Sequence, residues 1–162
     1  MSYRGPVLLE ASQDVADFQC GNDALDQWLK ARALSNHLSG TSRTWVVIEE
    51  TERRVVGYYA SSTASVLRQL APGPIRRNQP EEIPAILLGR MAVDERHQSS
   101  GLGAAMLKHL ILKVGEVSKI VGVRVILVHA KDERARAFYL HAGFFLSSTF
   151  DPLTLLLRNP LE

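Results

Sequence analysis

The stretch Leu88-Gly-Arg-Met-Ala-Val-Asp-Glu-Arg-His-Gln98-Ser-Ser-Gly-Leu-Gly-Ala104 sets how the rest of the chain reads. Its apolar beginning, with Ile86 and Leu87 ahead of it, predicts a strand over 86–93. Behind it Leu102, Met106, Leu110 and Val114 recur at helical spacing, which predicts a helix from about 101 to 121. The turn between them carries glycines at 101 and 103. Backbone N–H groups at a helix start point outward with partial positive charge and favour a phosphate or pyrophosphate. Glycine lets that backbone approach its ligand with no Cβ in the way. Gly-x-Gly alone is equally a bare helix start. The dinucleotide pattern Gly-x-Gly-x-x-Gly is incomplete, because Met106 stands where the third glycine belongs, and no Gly-Lys-Ser/Thr follows as in a Walker loop.

Upstream, residues 7–9 read as a short first strand. Asn22 can cap a helix through about Leu38, with Leu25, Trp28, Leu29 and Leu34 as its apolar stripe and Gly40 at its end. Residues 44–49 and 55–65 read as strands joined by a turn over 51–54. The connection 68–84 holds prolines at 72, 74, 80 and 84 and reads as a loop with room for a short helical turn. Downstream, 123–129 is a near-continuous apolar run, expected of a strand buried on both faces. Asp132 can cap a helix to Ala142, Gly143 ends it, and 144–146 and 154–157 form final strands around an Asp151-Pro152 turn. This order is that of an α/β fold with a mixed sheet.

A chain of 162 residues suits one domain, 1–162. No apolar run approaches the roughly 20 residues of a membrane helix, and the short apolar patch at Val7 does not make a signal peptide. The single cysteine, Cys20, excludes an internal disulfide and a multi-cysteine metal site. His37, His97, His109 and His141 have no mutual metal-ligand spacing, so no metal is expected. A cytoplasmic protein is the expectation. A net charge of +2 is too small to argue nucleic-acid binding by itself, so the placement of charge matters more than its sum.

Two motifs carry a resemblance to the GNAT acetyltransferase family. Gln98-x-x-Gly101-x-Gly103 resembles its (Arg/Gln)-x-x-Gly-x-(Gly/Ala) acetyl-CoA signature, and the segment 88–94 resembles its fourth strand. The resemblance implies a mixed central sheet with flanking helices and a splayed pair of strands holding acetyl-CoA. It implies coenzyme contacts from Met91, Ala92 and Val93 and from Gln98, Ser99, Ser100, Gly101, Leu102, Gly103 and Ala104. Main-chain groups of Met91 and Val93 would bond the acetyl carbonyl and pantetheine arm. Ser99 and Ser100 stand where relatives commonly have Gly and a basic residue, which removes one cationic contact. Asp132-x-x-Ala135-x-x-Phe138-Tyr139-x-x-x-Gly143-Phe144 resembles the second hallmark, with Asp132 in place of Asn. It implies that Asp132, Ala135 and Phe138 border the coenzyme and that Tyr139 is catalytic. The chemistry agrees: transfer expels a thiolate whose conjugate acid has a pKa of about 8.5, and a phenol near the sulfur can donate to it. No carboxylate stands in an evident base position. Glu49 and Glu50 are candidate bases but read as solvated turn flanks; His129, which ends its strand beside the expected cleft, reads as a structural histidine in preference to a base or substrate contact, and Cys20 as a small buried side chain. An α-amine, with a pKa of about 7.7–8.0, is then a more suitable acceptor than a lysine at about 10.4.

Phe18-x-Cys20-Gly21-x-x-x-Leu25-Asp26-x-Trp28-Leu29, Ser42-Arg43-Thr44, Val55-Val56-Gly57-Tyr58-Tyr59, Arg76-Arg77-Asn78 and Asp151-Pro152-Leu153-Thr154-Leu155 extend the resemblance to the TacT-type toxins of type II toxin–antitoxin systems. That resemblance implies acetylation of the α-amine of aminoacyl-tRNA, which blocks translation. It also implies a homodimer, a ribbon-helix-helix antitoxin, and operator DNA bound only through the antitoxin complex. Lys30, Arg76, Arg77 and Arg90 are its implied tRNA contacts, chiefly to phosphates, with Arg32 a weaker candidate. Two other readings stay open. An enzyme acetylating a small amine or a protein N-terminus would not need Arg76-Arg77. A non-catalytic coenzyme A-binding module would not need Tyr139.

Overall fold

Runs rich in Val, Ile, Thr and aromatic residues pair into a mixed sheet in the computed structural model, which describes residues 1–148 and 151–159. The elements are β1 (Tyr3–Leu8), α1 (Asp23–Ala31), α2 (Ala33–Ser39), β2 (Arg43–Glu49), β3 (Arg54–Leu67), α3 (Gly73–Arg76), β4 (Glu82–Val93), α4 (Leu102–Val117), β5 (Val125–His129), α5 (Glu133–His141), β6 (Phe145–Ser148) and β7 (Asp151–Arg158). The hydrogen-bonded order is β1-β2-β3-β4-β5-β7-β6. β4 and β5 are parallel, from Ala85↔Val125 to Leu88↔Val128. The β1–β2, β2–β3, β5–β7 and β6–β7 pairs are antiparallel. β4 runs on to Val93, whereas β5 stops at His129.

The chain packs as two compact units. One comprises Met1–Ser62 with Gly89–Leu110, the other Thr63–Leu88 with Ile111–Glu162. The first has a core of Phe18, Leu29, Ala33, Val46, Val55, Tyr58 and Ala92, among others, and includes the expected buried Cys20. Val66, Ile75, Ile83, Val125, Leu127 and Leu156 centre the second. Val125–Val128 are all buried, as their unbroken apolar run predicts.

Several boundaries differ from the sequence reading, β1 starting at Tyr3 rather than residue 7 and β5 at Val125 rather than 123, and four differences have a structural reason. The helix expected from Asn22 to Leu38 is two helices. Asn22 does cap the first, its Oδ1 accepting from the Leu25 N–H at 3.2 Å, but Arg32 leaves helical geometry at φ −123°, ψ −31°. Its N–H still donates to the Trp28 carbonyl and its own carbonyl still accepts from Asn36, so the ladder passes from one helix to the next. Side-chain periodicity is blind to such a break. α4 ends at Val117 rather than 121; beyond it Ile120 and Val121 are 84% and 56% exposed, so no apolar face holds the helix on. Pro84 lies inside β4 near its start, where the strand takes the Arg124 N–H on the Pro84 carbonyl. Asp151 and Pro152 begin β7 instead of turning, and residues 149–150 between the last strands lie outside the described residues.

Candidate active site

The phosphate-loop half of the signature lies in the first unit. Asp94, buried at the end of β4, accepts from the Gln19 and Arg96 N–H groups at 3.1 and 3.0 Å and anchors the turn that follows. His97 is buried there with Nδ1 2.8 Å from the Tyr3 hydroxyl. The Gln98 amide donates to the carbonyls of Val93 and Cys20 at 2.9 and 3.1 Å. Its side chain therefore ties the loop to β4. Ser100 is likewise engaged, its hydroxyl donating to the His97 carbonyl. Ser99 and Gly101 are both left-handed, at φ +65° and +84°, the kind of alternation that turns successive N–H groups to one concave side.

The first helical bond of α4 runs from the Ala105 N–H to the Gly101 carbonyl at 3.0 Å. Among the described residues the N–H groups of Leu102, Gly103 and Ala104 make no hydrogen bond. No acidic side chain occupies the first turn of α4. The cradle is thus positive, unpaired and exposed along Gln98, Ser99, Ser100, Gly101 and Ala104, which fits a pyrophosphate. Met91 and Val93 are half-buried on β4, and Ala92 is buried.

The other half of the signature lies in the second unit. Asp132 Oδ1 accepts from the Ala135 N–H at 2.8 Å and caps α5, so its side chain is used by the helix itself. Tyr139 is buried at 6% exposure, edge-on to Phe138 and to Phe144 at centroid distances of 5.2 and 5.4 Å. Its hydroxyl has no hydrogen-bond partner among the described residues. Burial pushes the phenol's pKa up, so it remains protonated. The arrangement is a rigid ring holding a proton that it shares with no neighbour.

Two candidate bases look different in place. Glu49 is buried, not solvated: its carboxylate accepts from the Thr51 and Glu52 N–H groups at 3.0 and 2.8 Å, which hold its pKa down and fix the β2–β3 turn. His129 is exposed, with Nδ1 2.8 Å from Thr154 Oγ1. Among the described residues no group of three or more His, Cys, Asp and Glu side chains is placed to hold a metal ion. No helix among them is long and apolar enough to cross a membrane.

Of the cationic candidates, Arg76 and Arg77 are exposed and line a cleft of about 460 Å³ with Leu67, Arg68, Gln69 and Glu81. Arg68 went unnoticed in the sequence. It stands at the opposite end of the loop, and its N–H bonds the Glu81 carbonyl at 2.8 Å to close that loop. The signal available was the pairing of an arginine before the proline-rich segment with two inside it. Arg90 lies elsewhere, in the first unit, with its guanidinium 4.3 Å from the Trp28 ring centroid. Trp28 in turn stacks on Tyr58 at 6.0 Å. Lys30 is exposed on α1, the helix that carries Trp28.

The sequence profile of the family described as "Acetyltransferase (GNAT) domain" matches residues 40–145. The chain is 44% identical over 155 residues to a protein of Mycobacterium tuberculosis named tRNA-acetylating toxin, covering 96% of this chain and 92% of that one. It superposes on AtaT complexed with acetyl-methionyl-tRNAfMet with a TM-score of 0.88 at 28% identity, over 97% and 94% of the two chains. It also resembles a tyrosine-to-phenylalanine mutant of AtaT bound to the C-terminus of the antitoxin AtaR and acetyl-CoA. There the TM-score is 0.81 at 26% identity, over 98% and 92% of the two chains.

Proposed function

This chain belongs to the GNAT acetyltransferase family, and on that premise we propose that it moves acetyl from acetyl-CoA to the α-amine of an aminoacyl-tRNA, which stops translation. The observation that carries the tRNA assignment is the 44% identity, over 96% of this chain, to the mycobacterial tRNA-acetylating toxin. Acetyl-CoA supplies the activated acetyl thioester. The free N–H groups of Leu102, Gly103 and Ala104 hold its pyrophosphate, with Gln98, Ser99, Ser100 and Gly101 shaping the loop. Main-chain groups of Met91, Ala92 and Val93 hold the arm, and Asp132, Ala135 and Phe138 set α5 against the coenzyme. Tyr139 donates a hydrogen bond from its hydroxyl to the departing sulfur. Charge developing there is stabilised most by a donor that has no competing partner.

Strands β3 and β4 and helix α4 run through both units, which supports one catalytic domain over 1–162. The same reading makes the protein a cytoplasmic homodimer held inactive by a ribbon-helix-helix antitoxin; that AtaT is bound by the C-terminus of the antitoxin AtaR supports the antitoxin partner alone. The experiment supplies labelled acetyl-CoA with charged tRNAs. Label should enter the aminoacyl group, be released by mild alkali as N-acetyl amino acid, and be absent from uncharged tRNA. Inert charged tRNAs beside acetylated polyamines or protein N-termini would replace this reading with that of an ordinary amine acetyltransferase.

Arg76 and Arg77, with Arg90 and Lys30, are proposed as tRNA phosphate contacts. Replacing Arg76 and Arg77 by Ala should weaken tRNA binding and leave acetyl-CoA binding intact. The log–log salt slope should flatten by about 0.7–0.9 for each phosphate that is no longer neutralised. An unchanged slope in filter-binding titrations would return the pair to the solvated surface.

A further inference from the structure

His129 and Thr154 are directly opposed across the β5–β7 pair, and their side chains meet at 2.8 Å. Thr154, itself buried, donates its hydroxyl hydrogen to Asp151 Oδ2 at 2.5 Å. The hydrogen bond from Thr154, then the N–H of Leu153, hold the Asp151 carboxyl below its ordinary range, so it is ionised and accepts only. A hydroxyl has one hydrogen, and Asp151 has taken it. The Thr154 oxygen must therefore accept from His129, which places the imidazole hydrogen on Nδ1. In the neutral ring Nε2 then carries the lone pair, and among the described residues nothing bonds to it.

A histidine base must keep one nitrogen held and the other open to the acceptor. His129 is exposed with one engaged, at the C-terminal end of a strand in a mixed sheet, and the next helix, α5, carries Tyr139. Orientation of an imidazole by a carboxylate-anchored group is one of the things a general base requires.

We propose that His129 Nε2 is the general base of the transfer, with Thr154 and Asp151 as positioning residues; this rests on the acetyl-transfer reading above. The acceptor nitrogen bonds to the acetyl carbon, and the hydrogen it must shed passes to Nε2. The carbon–sulfur bond then breaks with its electron pair on sulfur, beside the Tyr139 hydroxyl. Solvent afterwards takes the hydrogen from the imidazolium and protonates the released thiolate, so each group returns to its starting state.

The test compares wild type, His129→Ala, His129→Gln and Thr154→Val with labelled acetyl-CoA and whichever acceptor the wild type acetylates, charged tRNA first and a polyamine second. His129→Ala and His129→Gln should lower kcat/KM by about 10²-fold at neutral pH with acetyl-CoA affinity unchanged. The His129→Ala deficit should be partly restored by added imidazole. It should also shrink as pH rises through the α-amine's value of about 7.7–8.0, where the acceptor loses its hydrogen unaided. Thr154→Val should show a smaller loss with the same pH trend. Acetylation of polyamine alone refutes the tRNA reading while the comparison on that acceptor still decides the base. His129→Ala within about threefold of wild type, against the roughly 10²-fold expected, overturns the inference.

Discussion

Tyr139→Phe should leave the fold and acetyl-CoA affinity intact and lower turnover by about 10²–10⁴-fold. The phenol ring packs edge-on to Phe138 and Phe144, and phenylalanine keeps both contacts. The hydroxyl makes no hydrogen bond among the described residues, so removing it leaves no orphaned partner and costs little stability. Whatever is lost must then come from chemistry. Burial holds the phenol protonated, so the deficit should be nearly constant from about pH 6 to 9 rather than titrating with Tyr139 itself. Single-turnover kinetics beside calorimetry separates the two effects. Near-normal turnover would remove Tyr139 from the mechanism, and a loss confined to coenzyme affinity would make it a packing residue.

The second large effect is expected at Gly101. Gly101→Asp sets a carboxylate beside the free N–H groups that are proposed to receive the pyrophosphate. Two like charges about 4 Å apart repel by several kcal/mol even in a moderately polar surface, so acetyl-CoA affinity should fall on the order of 10²-fold or more. Part of any loss has another origin: at φ +84° a side chain is strained whatever it is. Gly101→Ala isolates that part, because a Cβ there meets nothing within 4 Å. Calorimetry should show Ala mildly and Asp severely impaired. Equal losses would mean that the backbone conformation, not the charge, is what the site uses, and unimpaired binding would move the cradle elsewhere.

Legibility in the sequence followed the range of the interactions. The α4 start and the Asp132 cap are built from residues within a few positions of one another, so their motifs are contiguous and readable. The mixed sheet was readable too, because Val125–Val128 advertise burial on both faces by composition alone. The Arg32 break was not, since hydrogen bonding passes through it without interruption. Glu49 was misread because turn carboxylates usually face water, whereas this one is turned in by two N–H donors from the turn itself. The His129–Thr154–Asp151 chain depends on strand register, which sets a residue of β5 opposite one of β7, and no local pattern encodes that. Arg68 joins Arg76 and Arg77 only because the proline-rich loop closes on its own ends.

The guanidinium of Arg90 over Trp28 has an optical consequence. An indole's emission responds to the charge held against its ring, and here that charge belongs to a residue proposed to contact tRNA. The chain's other tryptophan, Trp45, sits edge-on to His109 at 4.7 Å, and so has a different neighbour and a different sensitivity. A polyanion that draws Arg90 off the indole changes the spectrum of Trp28 and leaves that of Trp45 in place. The fold thus contains an unlabelled fluorescent gauge of the face proposed to meet tRNA.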